Sequence, residues 1–281
     1  MDEKSNNRQE VDQKLAQLKA LLKKLGSVLV AFSGGVDSTF LLKVAQEVLG
    51  DQVLAVTIDS NSFAKKELRE TQVFCEQQGI VQEVCKFNEL EVEGFCQNPP
   101  NRCYICKKAL FQNLLEIAKE HKIAFVVEGS NIDDEGDYRP GMQAVKELGI
   151  CSPLREVRLT KQEIRELSRN YGLAVWNKPS SACLSSRFAY GEQITREKLK
   201  MVEQAEQFLQ DLGFMQVRVR VHGSLARIEV LLEEIPQLML QDNRKRIAEK
   251  LKEYGFSYVT MDLCGYRIGS MNESLTVDER K

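Results

Sequence analysis

The six residues Ser33-Gly-Gly-Val-Asp-Ser38 are the part of this sequence best suited to bind a phosphate. They follow a continuous apolar run, Val28–Phe32, which predicts a buried parallel strand, and a helical pattern begins at about Asp37. Two residues without Cβ let backbone N–H groups close on an anion, and the helix start adds the positive end of its dipole. The loop lacks the Gly-Lys-Ser/Thr of a Walker A loop and the three spaced glycines of a dinucleotide-binding turn. The pattern therefore predicts a phosphate cradle of another type; the plain alternative is an ordinary glycine-rich turn.

Cysteines provide the second candidate for chemistry. Cys103 and Cys106 form a CxxC pair at the start of a predicted helix, whose dipole stabilises thiolates and prepares them to bind a metal. A zinc ribbon would need a second CxxC, which the sequence lacks, and a thioredoxin-type pair would need a βαβ context of its own. The third interpretation adds Cys183, from an aperiodic loop. The remaining cysteines are interpreted as small core or surface residues: Cys75, Cys85, Cys96, Cys151 and Cys264.

Three thiolates can hold a 4Fe–4S cluster and leave one iron open, whereas four thiolates would close it. An open iron could carry a small external ligand such as hydrosulfide. We therefore expect Cys103, Cys106 and Cys183 to be the ligands of such a cluster.

Strands and helices alternate along the first 180 residues. The predicted strands are Val28–Phe32, Val53–Ile58, Val81–Phe87 and Ile123–Val127, and helices are predicted at 8–25, from Asp37, at 64–78 and at 104–121. This alternation is typical of a doubly wound parallel α/β sheet, which binds ligands at the carboxyl ends of its strands.

Several loop residues should share that edge with the phosphate loop. Ser60, Phe63 and Gly129 are candidates for the rest of the ligand pocket, although each taken alone is also an ordinary loop residue. The acidic stretch 131–141 contains three aspartates and a glutamate, which could hold a magnesium ion that accompanies the bound phosphates. A solvated acidic loop is the alternative.

The C-terminal third of the chain has a different pattern. Thr160-Lys-Gln-Glu163 predicts a capping box that opens a helix through Tyr171, and periodicity disappears between Asn177 and Gly191. We therefore predict two domains, 1–180 and 181–281, the second a small α+β domain. Val217-Arg-Val-Arg-Val221 alternates apolar and basic residues, which predicts a half-exposed strand. Helices at 195–212 and 244–254 and strands at 225–230 and 258–263 complete this domain.

Composition limits the class of protein. The chain has 281 residues, 43% of them hydrophobic and 28% charged, and a net charge of −2. These values are ordinary for a soluble protein, and the balance of charge gives no support for extensive nucleic-acid binding. No apolar run is long enough for a membrane span and no signal-peptide pattern opens the chain, so we expect a cytoplasmic protein.

Six motifs together give the sequence a family resemblance over nearly its whole length. They are Ser33–Ser38, Asp137-Tyr-Arg-Pro-Gly141, Ser185-Ser-Arg-Phe188, Val217-Arg-Val-Arg220, Ala226-Arg-Ile-Glu229 and Met271-Asn272. The sequence resembles the LarE family, ATP-dependent sulfur transferases of nickel-pincer nucleotide biosynthesis built on a PP-loop ATP pyrophosphatase domain. The resemblance implies a small-molecule nucleotide substrate, pyridinium-3,5-biscarboxylic acid mononucleotide. A substrate carboxylate would be adenylated, pyrophosphate released, and AMP replaced with sulfur to give a thiocarboxylate.

The resemblance also implies roles for individual residues. Asp37 and Cys183 would be catalytic, and the small domain would bind the substrate through Ser186, Arg187, Arg218 and Arg220. Glu206 and Glu229 are further candidates for touching metal or substrate. The residues expected to bind ATP are Ala31, Ser33, Gly34, Gly35, Val36, Asp37, Ser38, Ser60, Phe63 and Gly129.

The sulfur source divides the resembled family into two branches. Sacrificial members give up the sulfur of a cysteine at the position where this chain has Ala182, and they lack the CxxC pair. This chain resembles the cluster-containing branch, which implies sulfide or a sulfur-donor system as a partner and a homo-oligomeric assembly. Sacrificial donation from Cys183 is the alternative.

Three other functions fit parts of the pattern. A tRNA thiolase also pairs a pyrophosphate loop with cysteines, but it would need a basic surface for the RNA backbone. An ammonia-using amidating enzyme such as NAD synthetase gives the cysteines no role. A non-enzymatic nucleotide sensor with a structural zinc would bind ATP without releasing pyrophosphate.

Overall fold

The computed structural model describes residues 3–135, 140–179 and 183–276. The chain forms two compact units. The first unit comprises Met1–Phe87 and Cys106–Ser181, and the second comprises Asn88–Ile105 and Ala182–Lys281.

A four-stranded parallel sheet forms the centre of the first unit, with the strand order β3-β2-β1-β4. Val28 of the first strand pairs with Val53 on one side and Phe125 on the other. Most residues of the two central strands are buried, which explains why their sequences are largely continuous apolar runs. The strands are β1 (Val28–Ala31), β2 (Val53–Asp59), β3 (Gln82–Lys86) and β4 (Phe125–Val127).

Helices cover both faces of this sheet, because neighbouring residues of β1 point to opposite sides. Val28 and Val30 pack into a core with α1, α2 and α7, whereas Leu29 packs with α4 and α5. The doubly wound parallel α/β fold is therefore confirmed. The helices are α1 (Glu3–Leu25), α2 (Val36–Leu49), α3 (Lys65–Gln78), α4 (Arg102–Glu120), α5 (Gly141–Glu147), α6 (Pro153–Glu156) and α7 (Lys161–Asn170).

The second unit is a small α+β structure around a three-stranded sheet. Strand β6 pairs antiparallel with β5 and parallel with β7. Helix α8 buries Val202, Ala205 and Leu209, which the sequence places on one helical face. The elements are α8 (Arg196–Asp211), β5 (Arg218–His222), β6 (Leu225–Glu229), α9 (Ile235–Leu238), α10 (Gln241–Glu253) and β7 (Tyr258–Met261).

Two sequence expectations have clear structural outcomes. The capping box of α7 is present: the Thr160 side chain accepts from the backbone N–H of Glu163, whose carboxylate accepts from that of Thr160. The expectation of a half-exposed β5 was wrong, because Arg218 and Arg220 are each only 6% exposed. Among the described residues, no helix is long and apolar enough to cross a membrane.

Candidate functional site

The Ser33–Ser38 loop connects β1 to α2 at the carboxyl end of the sheet and is closed by its own hydroxyl groups. Ser33 Oγ and Ser38 Oγ lie 3.0 Å apart, and the Ser33 backbone N–H also donates to Ser38 Oγ over 3.3 Å. Gly34 has a φ of +70°, a conformation that glycine adopts without strain. The start of α2 at Val36 therefore presents backbone N–H groups beside a loop of fixed shape, which suits an anion.

Gly129 brings the end of β4 against this loop. A Cβ added at Gly129 would lie 3.0 Å from the backbone nitrogen of Ser38 and 3.2 Å from its Cα. Only a residue without a side chain permits this approach. Gly129 therefore lies directly against the phosphate loop, at the sheet edge where the sequence predicts it.

Ser60 and Phe63 form a turn at the carboxyl end of β2, where the Phe63 N–H donates to the Ser60 carbonyl over 3.4 Å. Strand β2 lies directly beside β1, as β4 does on the other side. The turn and Gly129 therefore flank the strand that carries the loop, which is the usual position of a nucleotide in such sheets.

Two contacts of Asp37 were not expected from the sequence. Lys161 Nζ lies 2.5 Å from Asp37 Oδ2, and the Asn131 amide donates to Asp37 Oδ1 over 3.3 Å. Lys161 is the first residue of α7, so the capping box predicted from the sequence also places a cation beside Asp37 of the loop. A Walker A loop carries its lysine within the loop, whereas here the lysine comes from a helix 124 positions away.

A second lysine, Lys178, also contacts the loop. Lys178 Nζ donates to the Gly34 carbonyl over 3.2 Å and pairs with Glu67 and Glu70 of α3 at 2.5 and 2.7 Å. Glu67 and Glu70 belong to a helix that packs on the loop, since a Cβ at Gly34 would meet Thr71 Cγ2 at 2.8 Å. The sequence did not single out Lys178, Glu67 or Glu70, because no local pattern connects them to the loop.

The acidic stretch 131–141 was predicted to hold magnesium, but in the part that the structure describes two of its aspartates accept hydrogen bonds from backbone N–H groups. Asp134 accepts from the Asn131 N–H, and Asp133 accepts from the Lys161 N–H over 2.7 Å. Asp137 lies outside the described residues. Among the residues the structure describes, no three His, Cys, Asp or Glu side chains lie close enough together to hold a metal ion.

In the second unit, Arg187 and Glu206 form a buried fork-to-fork ion pair. Arg187 Nε and Nη2 donate to the two oxygens of Glu206 over 2.8 and 2.9 Å. The Val219 N–H adds a third hydrogen bond to this carboxylate at 2.9 Å. Burial alone would raise the pKa of Glu206, but the Arg187 guanidinium lowers it overall. Glu206 is therefore an ionised partner of arginine.

Arg220 and Glu229 form a second buried pair. Arg220 Nη2 lies 2.8 Å from Glu229 Oε2, and Ser270 Oγ donates to the other oxygen over 3.0 Å. Arg220 also donates to the Ser186 carbonyl over 3.1 Å. The alternating sequence of β5 suggested exposure, but the carboxylate on β6 neutralises the arginine and allows it to be buried.

Arg218 stacks over the Tyr266 ring at 5.4 Å, and its charge interacts with members of both pairs. Its guanidinium donates to the Val217 carbonyl over 2.7 Å. Burial, together with the nearby Arg187, lowers the pKa of Arg218 to about 10. The surroundings therefore disfavour its positive charge, and an anionic ligand would offset this effect.

Arg102 brings two of the three singled-out cysteines to one place. Its Nη2 lies 3.6 Å from Cys103 Sγ, and Nη1 donates to the Ser185 carbonyl over 2.9 Å. Burial alone would lower the pKa of Arg102, but the thiol groups of Cys103 and Cys183 raise it overall. Both thiols are exposed and lie beside this buried cation. Cys106 follows one turn along α4 and is half-buried, and Ala182 lies outside the described residues.

Most of the remaining cysteines are in surroundings that keep them protonated. Burial raises the pKa of Cys75 to about 12 and also raises the pKa values of Cys85, Cys96 and Cys151. Cys264 is exposed. Cys103 and Cys183 differ from the buried thiols in facing both solvent and a guanidinium.

The parallel sheet and its glycine loop define a PP-loop protein, and the family model described as a PP-loop domain matches residues 6–109. The chain is 44% identical over 266 residues to an uncharacterized Synechocystis protein, covering 95% of this chain and 99% of that protein. It is 40% identical over 264 residues to the pyridinium-3,5-bisthiocarboxylic acid mononucleotide synthase of Lactiplantibacillus plantarum, covering 94% of this chain and 95% of that protein. An uncharacterized protein of Methanocaldococcus jannaschii is 30% identical over 257 residues, with 90% and 97% covered. The chain belongs to the LarE family of ATP-dependent sulfurtransferases.

Proposed function

We propose that this protein adenylates a carboxylate of pyridinium-3,5-biscarboxylic acid mononucleotide and replaces AMP with sulfur to give a thiocarboxylate. One observation carries the proposal: the 40% identity, over 94% of the chain, to a synthase named for the bisthiocarboxylic acid mononucleotide. The phosphate loop and its flanking residues supply what the first step needs.

In the adenylation step, a substrate carboxylate oxygen attacks the α-phosphorus of ATP. The bond from that phosphorus to the bridging oxygen breaks, and pyrophosphate leaves. Backbone N–H groups at the start of α2 would bind the leaving pyrophosphate, with Lys161 and the Ser33 and Ser38 hydroxyls beside it. Magnesium would enter as the complex of ATP, because its phosphate oxygens supply most of the ligands.

In the sulfur-transfer step, a sulfide-level nucleophile attacks the acyl carbon. The carbon–oxygen bond to AMP breaks, so AMP leaves with the electron pair and a thiocarboxylate remains. Adenylation is required because a free carboxylate is a poor electrophile, whereas AMP is a good leaving group.

The substrate's anionic groups would bind in the second unit. Burial and the neighbouring Arg187 disfavour the positive charge of Arg218, and an anionic group of the substrate would offset this effect. Arg218 is therefore the strongest candidate for a charge-assisted bond to the substrate. Ser186 lies beside both pairs, its Oγ accepting from Arg187 over 2.8 Å. Arg218→Ala should therefore raise the Michaelis constant for the substrate and leave ATP binding intact.

The sulfur would be held by Cys103, Cys106 and Cys183 through a 4Fe–4S cluster. The donor set supports this in part, since two exposed thiols share Arg102 and the third residue lies one helical turn from Cys103. Such a cluster would supply a position for external sulfide. In the part of the chain that the structure describes, the three cysteines do not by themselves form a group arranged to hold a metal ion.

Iron and sulfide content separates the two sulfur sources. After anaerobic purification, each of Cys103→Ala, Cys106→Ala and Cys183→Ala should lose iron, and Cys264→Ala, an exposed cysteine elsewhere in the second unit, should keep it. Intact-protein mass spectrometry after turnover provides the second readout. Loss of hydrogen sulfide from the chain, mapped to Cys183, would mean that this cysteine is consumed.

Phosphorus NMR of a reaction mixture tests the proposed function. With ATP, the pyridinium mononucleotide and sulfide, AMP and pyrophosphate should accumulate together with a thiocarboxylate detected by mass spectrometry. ADP and phosphate as products, or AMP formation that is the same with and without the mononucleotide, would contradict it.

A further inference from the structure

Lys178 contacts the phosphate loop, and the reaction steps above give it no role. Its side chain is 16% exposed and that of its partner Glu67 is 15% exposed, so the pair is largely shielded from water. Three acceptors surround its Nζ atom: the Gly34 carbonyl, Glu67 Oε2 and Glu70 Oε2. An ammonium group has three N–H donors, so these three contacts use all of them. In this arrangement Lys178 has no donor left for a phosphate.

Lys178 is itself held in place by the chain around it. Its backbone N–H donates to the Val175 carbonyl over 2.9 Å, and Arg165 Nη2 donates to its carbonyl over 3.1 Å. Burial alone would lower the pKa of Lys178, but the hydrogen bonds that it donates to Glu67 and Glu70 raise it overall. The ammonium form is therefore the stable one at neutral pH.

The contact with Gly34 fixes the orientation of a peptide group. The Gly34–Gly35 peptide is trans, so its carbonyl and the Gly35 N–H point in opposite directions. Glycines on both sides would otherwise let this peptide rotate easily. By binding the carbonyl, Lys178 directs the Gly35 N–H to the opposite face of the loop.

The two glutamates are unfavourable neighbours for an anion-binding loop. A Cβ at Gly34 would lie 3.8 Å from Glu67 Oε2, so this carboxylate is close to the loop backbone. An uncompensated carboxylate at that distance would repel the phosphates of ATP. Lys178 pairs with both glutamates and removes much of this repulsion.

We propose that Lys178 is a positioning residue of the ATP site, which fixes the Gly34–Gly35 peptide and neutralises Glu67 and Glu70 without contacting a phosphate. The proposal rests on ATP binding at the loop and not on sulfur transfer. Its test is therefore a binding measurement, whose result does not depend on whether the later steps of the proposed function occur.

Isothermal titration with ATP and with inorganic pyrophosphate tests the proposal in the full chain. Lys178→Gln removes the charge but keeps a donor for the Gly34 carbonyl, and it should weaken ATP binding about tenfold or more because two carboxylates become uncompensated. The triple variant Glu67→Gln/Glu70→Gln/Lys178→Gln has no charge left to compensate. It should regain at least half of the lost affinity on a logarithmic scale. Lys66→Gln is the matched control, because Lys66 is exposed on α3, the helix that carries Glu67 and Glu70.

The triple variant decides between positioning and direct binding. If Lys178 contacted the phosphates, its charge would still be missing and the triple variant would bind as weakly as Lys178→Gln, which would overturn the proposal. An unchanged affinity of Lys178→Gln would also overturn it. Should Lys178→Gln fail to fold, Glu67→Gln/Glu70→Gln with Lys178 intact provides the second measurement. That variant should bind ATP within about threefold of the wild type, and a larger loss contradicts the proposal.

Discussion

The phosphate loop of the first unit and the arginine–glutamate pairs of the second unit belong to the two regions proposed to bind anions, and they are built by different means. The loop uses backbone N–H groups and partly exposed side chains, such as Lys161 with Asp37. The second unit uses buried side chains, among which Arg187 and Arg220 are matched to Glu206 and Glu229. Backbone geometry can be changed without losing the fold, whereas a buried charge depends on its partner. Substitutions in the loop should therefore affect binding first, and those in the second unit should affect stability first.

The largest effect is expected for Glu229→Ala. Glu229 is fully buried and accepts hydrogen bonds from Arg220, Arg227 and Ser270, so its removal leaves buried positive charge without compensation. We expect the free energy of unfolding to fall by about 3–5 kcal/mol, measured by urea denaturation. The double variant Arg220→Met/Glu229→Leu removes both charges and should lose less. A loss below about 1 kcal/mol for Glu229→Ala would remove the contrast between the two regions.

A smaller effect on stability but a clear effect on binding is expected for Gly34→Ala. The new Cβ would lie 2.8 Å from Thr71 Cγ2 in a residue with φ +70°, so the loop must shift. ATP affinity should fall about tenfold or more, while the free energy of unfolding should fall by about 1–3 kcal/mol. Gly26→Ala is the control, because Gly26 has a similar φ of +77° but no atom within 4 Å of the added Cβ. Equal effects of the two variants on ATP binding would contradict this account.

The smallest effect is expected at the start of α7. Thr160→Ala removes the cap that sets the position of Lys161 and should cost about 1 kcal/mol of stability, with a modest loss of ATP affinity. Thermal or urea denaturation and ATP titration measure the two effects. A binding loss without any loss of stability would show that the cap acts only on the ligand.

Acid titration sharpens the result at the same cap. Burial alone would raise the pKa of Glu163, but its hydrogen bonds with Lys14 and Thr160 lower it overall below 4.5. A carboxyl group with a lowered pKa stabilises the fold above its unfolded pKa and loses that contribution as the pH falls through the folded value. The stability difference between wild type and Glu163→Gln should therefore be largest at neutral pH and shrink below 4.5. A difference that is independent of pH would contradict this sign.

The sequence predicted the elements and the loop because both depend on neighbouring residues. Apolar runs locate the strands, and the Ser33–Ser38 pattern locates the turn between β1 and α2. Contacts between residues far apart in the sequence leave no such pattern. The sequence therefore did not predict the hydrogen bonds from Lys161 to Asp37 and from Lys178 to Gly34. Arg102 was missed for the same reason.

One wrong prediction in the second unit shows this limit most clearly. The alternation in β5 correctly indicated a strand but placed its arginines in solvent, because the neutralising Glu229 lies on the next strand. The chemistry of cysteine predicted that Cys103 and Cys183 act together; in the structure both interact with the same residue, Arg102.

Hydrogen bonds join residues 96–102 to the chain after residue 183, and they limit how early this part of the protein can fold during synthesis. Asn98 donates to the Ala189 carbonyl over 2.6 Å, the Gly191 N–H donates to the Asn98 carbonyl over 2.9 Å, and Arg102 binds the Ser185 carbonyl. The earlier segment leaves the ribosome well before its partners exist, so the second unit completes its folding only after synthesis has passed this point. A fragment that begins at residue 182 would lack these contacts. A nascent chain whose synthesis pauses before residue 182 would expose Cys103 without the loop that contains Cys183.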